Sequence, residues 1–333
     1  YFFSALDTMK YSVQLIMYIV TSIVSASAIV VVTKRLYHLY GFKWPTCLIF
    51  VHQGSVAVVT WSASTLGYTE RPKFTAFAIM GGCLSAFSLF LLNLSLWYNS
   101  VGTFQTFKLL TVPCIATIDY FYVGKRFTMP QILALLLMVA GTGLVTVDEI
   151  SMRGRGLIFG TLATVLTSVH QQTQKRVADT YQLTNMQTMQ VYCSVCAPWL
   201  LGFALCMDPV PELLNYDWSL EQVVHLLASC FVFYFVAFSM VGIVNAASPL
   251  VFQVVGLLKV ILVFVAGLLF VDSHCTVMQT AGVLASSLGF TLYTFAPKEE
   301  AKTQTHSETA DGVGDTEMIK MEQHLVDKVS DDT

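Results

Sequence analysis

The stretch FQTFKLLTVPCIATIDYFYVGKRFTMPQILALLLMVAGTGLVTV, Phe104–Val147, aligns without a gap on FQVVGLLKVILVFVAGLLFVDSHCTVMQTAGVLASSLGFTLYTF, Phe252–Phe295, at an offset of 148 residues. Of the 44 aligned positions 12 are identical, among them Phe104/Phe252, Gln105/Gln253, Thr128/Thr276, Gln131/Gln279 and Gly141/Gly289. Shared apolar composition supplies part of the leucine and valine matches. The polar and glycine matches, with no gap between them, point to an internal repeat.

Outward from this stretch, the chain has 333 residues, of which 55% are hydrophobic and 12% charged, against roughly 25% charged in a soluble domain. Water is not its main solvent, and a soluble enzyme is excluded. Apolar runs bounded by charge, Pro or Gly fall at about 12–33, 45–66, 74–97, 100–123, 128–147, 156–175, 186–207, 222–243, 247–271 and 277–296. Each is long enough to cross a bilayer as a helix. The expected fold is therefore an all-α polytopic membrane protein with ten transmembrane helices. The repeat sets a first five-helix unit at 1–147 and a second at 148–296. An offset of five helices is odd, so the second unit is inverted relative to the first. Inverted repeats are the sequence signature of secondary transporters, whose substrate site lies near the midplane where the repeats meet.

An even number of spans puts both termini on one side. Residues 297–333 hold 10 Asp/Glu and 4 Lys/Arg, the composition of a disordered, acidic cytosolic tail. With that orientation the cytosolic side carries Lys10, Arg71, Lys73, Lys125, Arg126, Lys175, Arg176 and Lys298, and the opposite side Lys34, Arg35, Lys43, Arg153 and Arg155. This is the expected bias of positive residues toward the cytosol. The Cys193/Cys196 pair lacks a second pair or nearby histidines and reads as helix packing rather than as a metal or redox site.

Two cations lie deep in the expected spans: Lys108, nine residues after Asn99, and Lys259, fourteen after Asn245. At 1.5 Å per residue both fall near the bilayer centre, where each costs roughly 2.5–3.5 kcal/mol on insertion scales. Asp119 is the one in-membrane carboxylate that could pair with them, but it lies about 16 Å along the helix from Lys108. In the repeat Lys259 falls opposite Thr111, one helical turn from Lys108. Two cations facing one cavity imply an anion, most naturally a phosphate ester. The polar groups nearby are amides and phenols: Tyr98, Asn99 and Gln105 before the first lysine, Tyr234, Asn245 and Gln253 before the second. They can bind a base or sugar without opposing the phosphate, or bond helix to helix. His52 with Gln53, and His170, Gln171 and Gln172, are further candidates, although His52 by itself reads as a satisfied interior histidine. No phosphate-binding loop, dinucleotide fingerprint or zinc-protease motif occurs, so ATP is not the energy source and no cofactor or metal is expected. A membrane enzyme acting on lipid-linked phosphates would need paired acids or histidines at the surface. The adjacent Asp148 and Glu149 read better as a solvated loop.

At this point the residues resemble a known family. Thr33-Lys34, Gly41-Phe42, Trp44-Pro45, Leu48 and His52 are similar to the opening of the nucleotide-sugar/triose-phosphate translocators of the drug/metabolite transporter superfamily. Asn93-Leu94-Ser95-Leu96, Asn99-Ser100-Val101-Gly102, Gln105 and Lys108, and later Ser248-Pro249, Gln253 and Gly256-Leu257-Leu258-Lys259, resemble the plant UDP-rhamnose/UDP-galactose transporters and their animal relatives. The resemblance runs from about residue 12 to 296. It implies a multi-pass carrier of the Golgi or endoplasmic reticulum membrane that exchanges a nucleotide sugar for a nucleoside monophosphate. Lys34, Lys108 and Lys259 then match lysines that contact substrate phosphate. Val260 stands where plastid members carry arginine, which favours a nucleotide sugar over a phosphosugar. The implied partners are these small molecules and the lipid bilayer, with no nucleic acid; small-residue helix faces are compatible with a homodimer.

Overall fold

The structure is a computed structural model that describes the backbone of residues 2–98, 101–122, 124–147, 154–256 and 277–296. The side chains of residues 2–12 and of some further helix residues, among them Lys34, Gln105 and Lys108, lie outside that description, as do Asn99 and Lys259 entirely. Among the described residues there is no strand. The helical segments are α1 (Phe2–His38), α2 (Pro45–Thr65), α3 (Ala76–Tyr98), α4 (Val101–Tyr122), α5 (Met129–Val147), α6 (Gly154–Thr180), α7 (Asn185–Met207), α8 (Val210–Leu214), α9 (Leu220–Ala246), α10 (249–256) and α11 (Val277–Phe295).

Stretches within five of these helices are long and apolar enough to cross a membrane: Val13–Tyr37, Pro45–Thr65, Ala76–Ser95, Asn185–Met207 and Leu220–Ala246. Their outward faces are apolar as well. On α1, Val13, Ile16, Met17, Val20, Val24 and Val31 are all exposed, a continuous patch that suits lipid rather than water. Each of the ten apolar intervals of the sequence overlaps one helix. Three helices clearly outrun their intervals: α6 continues past Lys175 and Arg176 to Thr180, α1 past Arg35 to His38, and α9 past Ile243 to Ala246. The short α8 was not signalled by any apolar run.

The helix starts follow from local chemistry. Thr184 caps α7 and Ser219 caps α9, each in a reciprocal capping box with Gln187 or Gln222, which satisfies backbone N–H groups left over in the first turn. α2 starts with Pro45 in its first turn and has no cap from its own N-cap side chain. Asp208, from the end of α7, accepts instead from the Cys47 N–H at 2.7 Å, a charge-assisted bond at a helix N-terminus.

Packing joins helices far apart in sequence. α3 lies on α6 and α7, α2 on α7, α1 on α9, α4 on α6, and α5 on α11. At the α5–α11 crossing the backbones approach each other closely. A Cβ on Gly141 would sit 2.5 Å from the Ser286 nitrogen and 2.6 Å from the Gly282 carbonyl oxygen; one on Gly289 would sit 2.8 Å from the Met138 nitrogen and the Ala134 carbonyl oxygen. Ala134 and Met138 are the residues that the 148-residue offset sets opposite Gly282 and Ser286. Ser286 Oγ also donates to the Met138 carbonyl at 3.3 Å. Each glycine thus meets the counterparts of the residues that its own counterpart meets.

Candidate functional site

The backbone beside Lys108 is held from one side by α6. Phe107, buried on α4, fills a notch at Gly160, where a Cβ would overlap its ring. The Phe107 carbonyl accepts from Thr164 Oγ1 at 2.9 Å. Pro113 lies inside α4 five residues after Lys108 and brings no N–H to the carbonyl one turn back, so the helix is weakened next to the lysine. Gly160 thus serves the close packing that small residues allow.

Two of the sequence-selected amides meet. Gln253 on α10 donates through Nε2 to Gln171 Oε1 on α6 at 2.8 Å, which fixes the start of α10, six residues ahead of Lys259, against α6. Asn245 does not join them. Its Nδ2 donates to Asn185 Oδ1 at 3.0 Å and lies 3.4 Å from Thr188 Oγ1, while its backbone carbonyl accepts from Lys175 Nζ at 2.7 Å. Asn185 Nδ2 in turn donates to Tyr18 Oη at 2.9 Å, which also accepts from Gln14 at 2.8 Å. Polar side chains from α1, α7, α9 and α6 therefore form one hydrogen-bonded chain across the bundle.

The other candidates stand apart. Tyr98 stacks on Phe159 with ring centres 5.4 Å apart. Tyr234 donates to the Met186 sulfur at 3.1 Å. His52 is buried between α2 and α9, with Nε2 2.9 Å from Ser229 Oγ and its ring stacked 4.7 Å from Phe233, as expected of a satisfied interior histidine. Gln172 turns away from Gln171 and donates to Asp119, which Lys125 also approaches at 3.5 Å. Asp119 is thereby occupied by Gln172 and Lys125 at its own end of α4. Cys193 and Cys196 are free, buried and lodged in separate apolar clusters.

Sequence reading missed Tyr18, Asn185, Thr188 and Lys175. Nothing in the local sequence marks Asn185, whose partners lie 60 and 167 residues away. Several buried polar atoms have no hydrogen-bond partner among the described residues: His170 Nδ1, Gln174 Nε2, Gln190 Nε2, Tyr192 Oη and Asn245 Oδ1. Gln171, Gln174 and Asn245 belong to the facing helices α6 and α9, so part of the unsatisfied polarity lies beside the chain of hydrogen bonds. No group of three or more potential metal ligands occurs among the described residues. Outside the spans, Tyr40 donates to Glu221 at 2.7 Å, and that bond is the main cause that raises its phenol pKa above the ordinary value.

Such an arrangement offers hydrogen bonds and cationic charge within apolar helices. It can bind and pass a polar solute. The model of the Triose-phosphate Transporter family matches residues 13–294. UDP-xylose transporter 2 of Arabidopsis thaliana is 27% identical over 297 residues, covering 87% of this chain and 83% of that protein. UDP-xylose transporter 3 is 28% identical with coverages of 87% and 82%. UDP-rhamnose/UDP-galactose transporter 2 of the same plant is 24% identical over 305 residues, with 88% of each covered. One crystal structure, 15% identical, shares the fold with a TM-score of 0.57 over 84% of this chain and 95% of its own. With apolar spanning helices and a match along most of its length, the chain belongs to the Triose-phosphate Transporter family and is a membrane transporter rather than an enzyme.

Proposed function

We propose that the chain is a nucleotide-sugar antiporter that exchanges a UDP-sugar, of the UDP-xylose, UDP-galactose or UDP-rhamnose type, for UMP. It works by alternating access in the Golgi or endoplasmic reticulum membrane. The observation that carries this reading is the match over 87% of the chain to relatives named UDP-xylose transporters. In this reading ten helices form two inverted five-helix units, 1–147 and 148–296, with both termini cytosolic. The reciprocal contacts at Gly141 and Gly289 support the repeat. So does the exchanged packing, since the partnership of α3 with α6 becomes that of α9 with α1 when the halves are swapped.

Lys108 and Lys259 hold the substrate phosphates and Lys34 guards the path to them. Gln171, Gln253, Asn245, Tyr98, Asn99, Gln105, Tyr234 and His52 supply base and sugar contacts or order the helices that do. An empty carrier must take two uncompensated lysines through a closed, dry intermediate, whereas a loaded one neutralises them. Exchange should therefore be strict. Proteoliposomes preloaded with UMP should take up labelled UDP-sugar at least about tenfold faster than empty ones, since a penalty of one such lysine exceeds 1.4 kcal/mol. Lys108→Gln and Lys259→Gln should each abolish exchange without lowering the melting temperature. Normal transport by either variant removes its phosphate role, and equal rates from empty and loaded vesicles remove exchange.

The family's description favours one second reading, an exchanger of phosphorylated metabolites for inorganic phosphate. UMP competes in the first case only.

A further inference from the structure

The two faces of the bundle differ in charge. One face collects the α2–α3, α4–α5 and α6–α7 connections and the end of α11. Gln187 Nε2 there donates to the Glu70 carbonyl at 3.2 Å, Arg176 lies 5.3 Å from the Tyr122 ring centre, and Phe127 and Tyr293 pack on one apolar cluster. This face holds Arg71, Lys73, Lys125, Arg126, Lys175 and Arg176 against Glu70, Asp119 and Asp179. Lys125 and Lys175 already pair with Asp119 and Asp179, while Arg71, Lys73 and Arg126 are exposed and have no ion pair with a described residue. The opposite face is balanced, with Arg35, Lys43 and Arg155 against Asp208, Glu212, Asp217 and Glu221 among its described side chains. Among the described side chains, only the first face has cationic charge to spare.

A cleft of about 770 Å³ opens on that face between residues 68–73 and 181–187, lined by Tyr68, Glu70, Arg71, Lys73, Gln182 and Gln187 among others. The chain that leaves α11 at this same face runs on to residue 333. Within it, residues 303–319, TQTHSETADGVGDTEMI, hold Glu308, Asp311, Asp315 and Glu317 and no Lys or Arg. We propose that residues 303–319 dock in this cleft, with their carboxylates against Arg71 and Lys73.

Reach and shape allow it. From α11 the packed neighbours α5, α4 and α6 lead to the cleft, about 24–30 Å at the usual spacing of packed helices. The twelve residues that follow Ala296, ending at Glu308, span up to about 40 Å. A cleft between two loops, with Gln182 and Gln187 on one wall, suits a polar peptide strand that can accept from amides as well as meet charge. The docked segment bridges the α2–α3 and α6–α7 connections and screens the two cations from an arriving anion. None of this depends on which solute the protein carries.

The test is zero-length carbodiimide cross-linking of the full chain in neutral phosphatidylcholine nanodiscs, with the linked peptides identified by mass spectrometry. Lys73 should join Asp311, Asp315 or their acidic neighbours at low salt. The yield should fall about tenfold as the Debye length shrinks from about 30 Å at 0.01 M to about 3 Å at 1 M. It should vanish in the variant E308Q/D311N/D315N/E317Q, whose melting temperature should be unchanged. Three outcomes overturn the proposal: tail cross-links confined to Lys125, a Lys73–tail yield indifferent to salt, or loss of the link when phosphatidylserine is added, which would assign the cations to lipid headgroups.

Discussion

Under the proposed repeat the same pair of connections occurs twice, once sealed and once open. Where α1 turns into α2 and α7 into α9, aromatic rings fill the junction. Phe42, Trp44, Tyr216 and Trp218 follow one another with ring centres 5.2 Å apart at each step. Trp44, 3% exposed, also donates from Nε1 to the Pro209 carbonyl at 2.9 Å, and Tyr216 Oη donates to the Tyr40 carbonyl at 2.8 Å. Where α6 turns into α7 and α2 into α3, the corresponding junction under the proposed repeat is a charged cleft beside an 81% exposed Tyr68. The difference teaches that the connections, more than the packing of the helices they join, set the character of each face.

Three sets of substitutions test that contrast in order of expected size. Trp44→Ala should lower stability by about 3–5 kcal/mol, the usual cost of emptying a buried aromatic site. Tyr68→Ala at the open junction should stay within about 0.5 kcal/mol. Thermal unfolding in one detergent compares them, and similar losses would mean that the sealed junction contributes nothing special. Next, Gly141→Ala and Gly289→Ala should cost about the same, roughly 1–3 kcal/mol each, because each new methyl group strikes backbone across the α5–α11 crossing. Gly143→Ala, with nothing within 4 Å of the added carbon, should be neutral or slightly stabilising. Markedly unequal losses at positions 141 and 289 would break the equivalence of the halves. Smallest is Asp208→Asn, which keeps the shape but removes the charge that caps α2, a loss of about 1 kcal/mol.

Much of the helix layout was legible in the sequence because apolar runs, prolines and glycines mark spans directly. Helix ends were less so. Lys175 and Arg176 looked like a connection yet lie within α6, since long cationic side chains at a helix end can reach polar partners without ending the helix. Trp44 and Phe42 appeared only as part of a family pattern, because nothing local reveals that Tyr216 and Trp218 will meet them. At the site, Gln171 and Gln253 were chosen separately as polar residues within apolar spans, and the fold brings them together. Tyr18 and Asn185 escaped notice for the converse reason: their neighbours in sequence explain them well enough. The side chains of Lys34, Lys108 and Lys259, on which the proposed chemistry turns, lie outside the described residues.

The partnership of α1 with α9 bears on how the protein is made. Tyr40 and Glu221 are 181 residues apart, so at about 5–20 residues per second a ribosome needs about 10–40 s to deliver the second after the first. Throughout that interval the first helix must wait in the bilayer with Tyr18 and Ser22 facing lipid instead of the neighbour that later buries them. A membrane chaperone able to shield polar side chains on a single waiting helix would be most useful during that window.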